Sequence, residues 1–291
     1  MPVWKAVILG IIQGAAEFLP ICSSGHLVIA KEILGVDLGS GGVFFDVMLH
    51  LGTLVAIFIA FWKDIRKLII EGFKLIGDIF YNLYIAVLRL FGKEYSFQKV
   101  VRSSYRKMVV LIIISTIPTG IIGVLLSDII ESANGMVIVP GICLFITAMF
   151  LLIADAVELG NKRPKEASYL SAGVVGVAQG LATMPGISRS GTTITACLLC
   201  GFEKKFAVKY SFIMSIPAVL GAVVLELKDF DKIQFSGDMV ISCVIATVIA
   251  AVVGYLSICF MMRLIRGKRY KYFAIYCAVL GCIAVGYALI K

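Results

Sequence analysis

Charged residues are scarce in this sequence, and their scarcity excludes an ordinary soluble fold. Asp, Glu, Lys and Arg make up 15% of the 291 residues, whereas 60% are hydrophobic and the mean hydropathy is +1.00. Soluble globular domains carry roughly 25% charged residues. The same figures exclude intrinsic disorder, a collagen-like repeat and a small secreted disulfide scaffold. The chain is therefore predicted to lie in a lipid bilayer.

The sequence also lacks a second cysteine pair that could work with Cys197 and Cys200, which form a C-x-x-C. Most of the eight cysteines lie inside apolar runs. They are expected to pack as small apolar residues rather than to bind metal or exchange disulfides. No basic leader precedes the first apolar run, which contains Gln13 and Glu17, so no cleavable signal peptide is expected.

Six apolar segments are long enough to cross a bilayer, which takes about 20 residues. They lie at about 43–62, 108–126, 136–157, 207–227, 238–262 and 271–290. Two further apolar regions, about 3–34 and 169–202, are broken by PICSSGH and MPGISRSG. Irregular backbone persists inside a bilayer only where protein or a water-filled cavity satisfies its polar groups. The prediction is an all-α polytopic integral membrane protein with six full transmembrane helices and two re-entrant helical hairpins.

The distribution of basic residues predicts the orientation. The connections 63–107, 158–168, 203–209 and 263–271 hold 21 of the 27 Lys and Arg residues. In contrast, 127–135 holds none, and 228–237 holds two that are balanced by two aspartates. The positive-inside bias places the four basic connections in the cytoplasm and both termini outside. The first hairpin then enters the membrane from outside and the second from the cytoplasm.

The segment at about 64–82 is predicted to be an amphipathic helix at the membrane interface. Its charged residues recur every three or four positions and leave an apolar opposite face; they are Asp64, Lys67, Glu71, Lys74 and Asp78. Binding to anionic lipid headgroups explains most of the net charge of +9. Nucleic acid is therefore not expected as a partner.

The two broken regions repeat each other at an offset of 166. Six residues of the first recur in the second: Gln13, Gly14, Ala16, Ile21, Ser24 and Gly25 return as Gln179, Gly180, Ala182, Ile187, Ser190 and Gly191. Each region precedes three spans, and an odd number of spans turns the second copy upside down. We expect a single membrane domain over 1–291, with inverted repeats at about 1–157 and 167–291. Such folds bind their ligands near the midplane, where broken helices direct their N-termini at an anion.

The hairpin tips contain the side chains with chemistry. Glu17, His26 and Arg189 lie at predicted membrane depth, where an ionisable residue is costly and indicates a functional site. The guanidinium of Arg189 suits phosphate oxygens. The hydroxyls and backbone N–H groups at the two helix starts can bind the rest of an anion; these residues are Ser24, Gly25, Ser188, Ser190, Gly191 and Thr192.

Glu17, with Gln13 one turn before it, offers hard oxygen ligands for Mg²⁺ or Ca²⁺. His26 can act as a general base or as a nucleophile. His50 is either structural or a supporting residue, and Asp46, one turn before it, could orient it. A purely structural alternative remains, in which Glu17 and Arg189 form a buried ion pair that joins the two repeats.

At these residues the sequence resembles the undecaprenyl-diphosphate phosphatase family, the bacterial membrane phosphatases linked to bacitracin resistance. The resemblance covers essentially the whole chain. Its motifs are Gln13-x-x-x-Glu17, the stretch Leu19 to His26, the stretch Phe45 to Thr53, and PGISRSGTT from Pro185 to Thr193. Many family members have Glu where this chain has Gln13, which weakens the case for two carboxylate metal ligands. Cys22 replaces the first serine of the usual triplet and makes Ser23 the better candidate nucleophile.

The resemblance implies hydrolysis of a polyprenyl diphosphate to the monophosphate carrier lipid and inorganic phosphate, with a divalent cation. The carrier would be recycled for peptidoglycan and other envelope polymers. Carried over by position, Glu17, Ser23, His26 and Arg189 form the catalytic core, with Gln13 and Glu17 near the metal. The family also implies a bacterial cell membrane and an active site that faces its outer side.

Three mechanisms remain open from the sequence. Ser23 attacks after deprotonation by His26, His26 attacks directly, or His26 activates a water molecule. The main rival function is a secondary transporter or flippase for a phosphorylated lipid, because inverted repeats with broken helices are also typical of transporters. The sequence does not specify an oligomeric state, and a homodimer is compatible with it.

Overall fold

The computed structural model describes residues 1–133, 136–158, 160–226, 237–264, 267 and 269–290 of the chain. Within these ranges the fold is helical, with one isolated bridge between Lys162 and Phe202 and no strand. Twelve α-helices follow one another in the described ranges: α1 (Val3–Phe18), α2 (Ser23–Ile33), α3 (Gly42–Ala60), α4 (Trp62–Leu90), α5 (Ser104–Leu125), α6 (Ser127–Ala133), α7 (Ile138–Ala156), α8 (Tyr169–Leu181), α9 (Arg189–Leu199), α10 (Lys204–Glu226), α11 (Gly237–Leu264) and α12 (Tyr270–Ile290).

Six of these helices are long and apolar enough to cross a membrane. They are α3, α5, α7, α10, α11 and α12, and their bounds agree with the six predicted spans to within a few residues. The all-helical class and the six spans are therefore confirmed, and the chain is a multi-pass membrane protein. Most of the connection predicted at 228–237, including the balanced lysines and aspartates, lies outside the described residues.

Each region with a predicted break contains two short helices. α1 and α2 have 16 and 11 residues, and α8 and α9 have 13 and 11. At about 1.5 Å per residue, none of the four reaches the ~30 Å of a bilayer core. The breaks themselves lie at 19–22 and 182–188, where the sequence analysis expects them.

Small residues allow the first helix of each pair to pack closely against a distant span. On α1, a Cβ added at Gly14 would lie 2.7 Å from the carbonyl oxygen of Ala250 on α11. On α8, a Cβ added at Gly176 would lie 2.2 Å from the carbonyl oxygen of Ser115 on α5. Contacts this short leave room only for glycine. Backbones therefore approach each other closely at both places, as is common between membrane helices.

The amphipathic segment is longer than the sequence predicts, since α4 runs from residue 62 to 90 instead of 64 to 82. Apolar and helix-favouring residues continue past position 82, and the helix ends only where Gly92 adopts a positive φ of 78°. Much of its apolar face is exposed: Phe73 is 72% and Phe80 is 66% accessible. Nothing in the described part of the chain covers these rings.

Ion pairs connect α4 to the start of α5. Arg106 donates to the carboxylates of Glu71, at 2.9 Å, and of Asp78, while Arg102 also donates to Asp78, at 2.8 Å. Hydrogen bonds from Arg106 hold the pKa values of Glu71 and Asp78 below the ordinary range of these carboxyls. The contacts fix α4 beside α5 while its apolar face remains open.

Candidate active site

The tips of the two short helix pairs lie against each other. The guanidinium of Arg189 in the second tip donates to Oε1 of Glu17 in the first, 172 residues away in sequence. Ser190 Oγ donates to the carbonyl oxygen of Leu19 at 3.2 Å. Backbones also meet, because a Cβ built on Gly25 would lie 3.3 Å from the Cα atom of Gly186. The structure therefore brings together the guanidinium and the carboxylate that the sequence analysis selects.

Glu17 is the centre of this site. Its second carboxylate oxygen, Oε2, accepts the Ser23 hydroxyl at 2.5 Å and the amide Nε2 of Gln13 at 3.1 Å. The Glu17 side chain is 3% exposed, while that of Arg189 is 22% exposed. A carboxylate this deeply buried keeps its charge only when it is paired and hydrogen-bonded, and Glu17 meets both conditions.

Local sequence explains why Ser23 and Arg189 reach the same carboxylate. They are the first residues of α2 and α9, and each helix has a side-chain cap immediately before them. Cys22 Sγ accepts the N–H of Gly25 at 3.5 Å, and Ser188 Oγ accepts the N–H of Gly191 at 3.1 Å. The first turns of α2 and α9 are therefore capped in the same way, by a side chain that accepts the N–H three residues later. Negative charge is favoured near helix N-termini, which adds to the stabilisation of the carboxylate.

Cys22 has a backbone conformation that is rare for a residue with a side chain. Its φ is 72°, and no other residue except glycine has a positive φ in the described part of the chain. Such a conformation costs about 1–3 kcal/mol and is often found at functional sites. The turn at Cys22 directs Ser23 toward Glu17.

His50 on α3 belongs to this cluster, a position that the sequence analysis leaves undecided between structural and supporting roles. Its Nδ1 atom lies 3.1 Å from Nε2 of Gln13 and 3.9 Å from Oε2 of Glu17. Asp46, one turn before His50, does not orient it; both of its carboxylate oxygens instead accept from Lys31 on α2 at 2.7 Å. The spacing of Asp46 and His50 indicates that the two lie on one face of α3, but it does not indicate which of them approaches Glu17.

His26 lies beside the cluster and faces another helix. Its Nδ1 atom is 2.6 Å from the carbonyl oxygen of Cys22, and its Nε2 atom is 2.8 Å from the hydroxyl of Tyr276 on α12. The hydroxyl of Ser23, three residues earlier, is held by Glu17 instead. Sequence reasoning did not select Tyr276, because nothing distinguishes it among the eleven tyrosines of the chain.

The residues expected to bind substrate lie in and around the two tips. Ser24 Oγ is 3.3 Å from Cys22 Sγ, and Ser188 Oγ, besides capping α9, is 3.4 Å from Ser190 Oγ. Thr192 is buried, and its hydroxyl has no hydrogen-bond partner among the described residues. The tips thus hold a group of hydroxyls next to Arg189.

The donor set beside Glu17 fits a small divalent cation. No three His, Cys, Asp or Glu residues cluster in the described part of the chain, so amide or hydroxyl oxygens would have to complete a site. Gln13 supplies one, since its buried Oε1 has no hydrogen-bond partner there. Turning the amide over would bring that oxygen between Glu17 and His50.

The fold and this site define a multi-pass membrane protein with a buried hydroxyl–carboxylate–guanidinium site between two broken helix pairs. The chain matches the family described as bacitracin resistance protein BacA over residues 6–283. This match spans nearly the whole chain and includes both tips. The chain belongs to the BacA family.

Relatives that align over nearly the whole chain agree with this assignment. The chain is 42% identical over 286 residues to an undecaprenyl-diphosphatase of Methanosphaera stadtmanae, covering 98% of each protein. It is 38% identical over 285 residues to the protein of the same name from Halothermothrix orenii, again covering 98% of each. It is also 38% identical over 291 residues to that of Alkaliphilus metalliredigens, covering the whole of both.

Proposed function

We propose that this chain is an undecaprenyl-diphosphate phosphatase, which hydrolyses the lipid diphosphate to the monophosphate carrier and inorganic phosphate. The family assignment and the printed names of the relatives support this activity. The observation that carries it to particular residues is the contact of the Ser23 hydroxyl with Glu17, which also accepts Arg189. A candidate nucleophile (Ser23), a base (Glu17) and an anion-binding group (Arg189) are thus in direct contact.

In the first step, Ser23 Oγ attacks the terminal phosphorus and its proton passes to Oε2 of Glu17. The bond from phosphorus to the bridging oxygen breaks, and the polyprenyl monophosphate leaves. Arg189 stabilises the charge on the transferred phosphoryl group, where positioning and electrostatics supply most of the rate enhancement. Among the three routes left open by the sequence, the 2.5 Å contact favours serine attack, with Glu17 as the base in place of His26.

In the second step, water attacks the phosphoserine and the Oγ–P bond breaks. The proton held by Glu17 returns to Ser23, and His26, one helical turn further along α2, takes the proton of the water through Nε2. His26 then passes this proton to the departing phosphate, which leaves as dihydrogen phosphate, so Ser23, Glu17 and His26 all return to their starting protonation states. His26 thereby acts on the water rather than on the serine.

Gln13, Glu17 and His50 would hold the divalent cation, which would neutralise phosphate charge when bound with the substrate. Carboxylate and amide oxygens suit either Mg²⁺ or Ca²⁺. His50 joins the pair selected from the sequence. Its imidazole would complete a site that has one carboxylate where many family members have two.

We further propose that the two helix pairs are re-entrant hairpins in an inverted repeat of about 1–157 and 167–291. Three relationships at the offset of 166 support this arrangement. Gly10 and Gly14 on α1 correspond to Gly176 and Gly180 on α8, and all four have close neighbours on another span. The caps Cys22 and Ser188 correspond, as do the helix starts Ser23 and Arg189.

The basic connections would lie in the cytoplasm, with both termini and the opening of the active site on the outer side. α4 would lie in the cytoplasmic interface, where its exposed apolar face would enter the lipid. The diphosphate would occupy the tips while the prenyl chain remains in lipid between helices. A homodimer would leave this site intact, because Glu17, Ser23 and Arg189 all come from one chain.

Phosphate release from a long-chain polyprenyl diphosphate by the purified protein tests the function. We expect Mg²⁺-dependent release that a chelator abolishes. Vesicles loaded with a phosphorylated lipid distinguish the transporter alternative, which predicts movement of intact lipid without release of phosphate. Absence of phosphate release from well-folded protein with Mg²⁺ would contradict the proposal.

A further inference from the structure

We propose that Tyr276 is a positioning residue for His26, which it holds through its hydroxyl at the lipid-facing edge of the active site. Together with the carbonyl oxygen of Cys22, Tyr276 would thereby fix the orientation of the ring and leave Nε2 as the nitrogen that can take a proton. This inference rests on the proposed function for its kinetic consequence, but the contact between the two side chains can be tested without any substrate.

The hydrogen bonds of His26 determine its tautomer. A carbonyl oxygen only accepts, so the 2.6 Å contact between Nδ1 and the carbonyl of Cys22 requires a proton on Nδ1. Neutral His26 therefore carries its lone pair on Nε2. The Tyr276 hydroxyl, 2.8 Å away, donates to that lone pair. Two partners thus fix both the ring orientation and the nitrogen that remains basic.

Ring stacking reinforces the hydrogen bond. The two ring centroids are 5.6 Å apart and the ring planes differ by 12°. The next residue, Cys277, is fully buried with its sulfur 3.9 Å from the carbonyl oxygen of Pro20. α12 therefore packs against the first tip, and Tyr276 extends from this contact to His26.

Tyr276 also lies at the border between protein and lipid. The residue is 46% exposed, and on the same face of α12 Tyr272 is 61% and Ile283 is 60% exposed. A hydroxyl at this border can remain hydrogen-bonded in either protonation state of His26. It donates to Nε2 while the ring is neutral, so a proton reaches Nε2 by way of this hydroxyl, which gives its own proton to the ring, takes another from the water and then accepts from Nε2. The ring therefore stays oriented while a proton is gained and released.

The test uses the fact that His26 and His50 are the two histidines of the chain. With ¹⁵N-labelled histidine, the NMR spectrum contains two imidazole rings, and His50→Gln assigns them. We expect a protonated-type Nδ1 and a lone-pair-type Nε2 for His26. In Tyr276→Phe, which keeps the aromatic ring and removes the hydroxyl, the Nε2 resonance should move to higher frequency. Tyr272→Phe, one turn earlier on α12, is the matched control and should leave it unchanged.

Kinetics test whether the contact acts through His26. Tyr276→Phe should lower kcat roughly threefold to tenfold, as expected for one neutral hydrogen bond, with little change in KM. Tyr276→Leu, which also removes the stacking, should lower kcat further, and Tyr272→Phe should match wild type. In a His26→Gln background, Tyr276→Phe should have no additional effect.

Several results would overturn the proposal: an unchanged Nε2 resonance in Tyr276→Phe, a proton on Nε2 of wild-type His26, or equal losses in Tyr276→Phe and Tyr272→Phe. Failure of the proposed function can be distinguished from failure of this inference. If wild-type protein releases no phosphate while the NMR response is as expected, the contact stands and the proposed function is wrong.

Discussion

Glu17 and Arg189 form a hydrogen-bonded ion pair between two helix tips that are 172 residues apart in sequence. The Glu17 side chain is buried, whereas the Arg189 side chain retains 22% exposure. The guanidinium can therefore keep one contact with Glu17 and still present N–H groups to a phosphate. A pair with both partners buried would be a structural lock, so the unequal exposure favours a functional site.

Arg189→Lys should reduce phosphate release by roughly 100-fold or more, because an ammonium keeps the charge but loses the planar fork that binds phosphate oxygens. Lysine is chosen over alanine because it keeps the positive charge beside Glu17. Arg189→Ala would leave Glu17 buried without its partner, at a cost of about 3–5 kcal/mol in stability. Thermal unfolding in detergent should show that Arg189→Lys remains folded. Near-normal turnover in this variant would contradict the assigned role.

Ser23→Ala should abolish a phosphorylated intermediate. With substrate labelled at the terminal phosphate, acid quenching of the wild type should leave an acid-stable label on the protein, as phosphoserine does. Ser257→Ala on α11, where the hydroxyl donates to the carbonyl oxygen of Val253, controls for the loss of a buried serine hydroxyl. An acid-labile label would instead indicate phosphohistidine and direct attack by His26.

Gln13→Glu should strengthen divalent-cation binding, because a second carboxylate would join Glu17 at the proposed metal site. We expect lower thermal stability in chelator, from two adjacent buried carboxylates, and a larger rise in Tm with Mg²⁺ than in the wild type. Gln179→Glu is the matched control, since Gln179 is equally buried and contacts Thr119. A similar Mg²⁺ response in both variants would argue against metal binding at Gln13.

Gly176→Ala should disrupt the packing of α8 against α5, whereas Gly173→Ala on the same helix should not. The added methyl would lie 2.2 Å from a backbone oxygen at Gly176 but has no neighbour within 4 Å at Gly173. The second variant should even gain up to ~1 kcal/mol of helix propensity. Yield of monodisperse protein and Tm in detergent measure the difference. Equal behaviour of the two variants would contradict the close packing.

Acidification should release the connection between α4 and α5. The pKa values of Glu71 and Asp78 are lowered in the folded protein by hydrogen bonds from Arg106. Their stabilisation is therefore complete above the ordinary carboxyl pKa of roughly 4 and is lost as the pH falls below it. Hydrogen exchange in 91–103, measured after brief exposure to each pH and corrected for the intrinsic rate, should increase below that pH. Arg106→Gln should show the increase already at pH 7.

Local sequence predicts the spans well because hydropathy is a local property. Each of the six spans is a run of apolar residues whose length alone satisfies the bilayer, and none needs a distant partner to be recognised. The breaks were equally visible, since PICSSGH and MPGISRSG cannot continue an apolar helix. The end of α4 was predicted too early, because the charge periodicity fades before the helix does.

The structure brings Glu17, Ser23 and Arg189 of the two tips together, but the sequence does not predict which side chains pair. Ser23 and His26, one helical turn apart, were expected to act together. The turn at Cys22 sends the hydroxyl of Ser23 to Glu17, and Tyr276 from the last helix takes Nε2 of His26. A spacing of three residues allows Ser23 and His26 to contact each other. It does not determine whether each of them instead contacts a residue of another helix.

The sequence by itself determined that this protein lies in a membrane, where its six spans lie, and where two further helical regions break. Bilayer thickness and the cost of unpaired polar groups impose those features on any chain locally. Only the tertiary structure decided that Glu17 meets Arg189, that His50 joins Gln13, and that Tyr276 holds His26. Those contacts depend on how helices separated by tens to hundreds of residues pack, and close packing at glycines sets that arrangement.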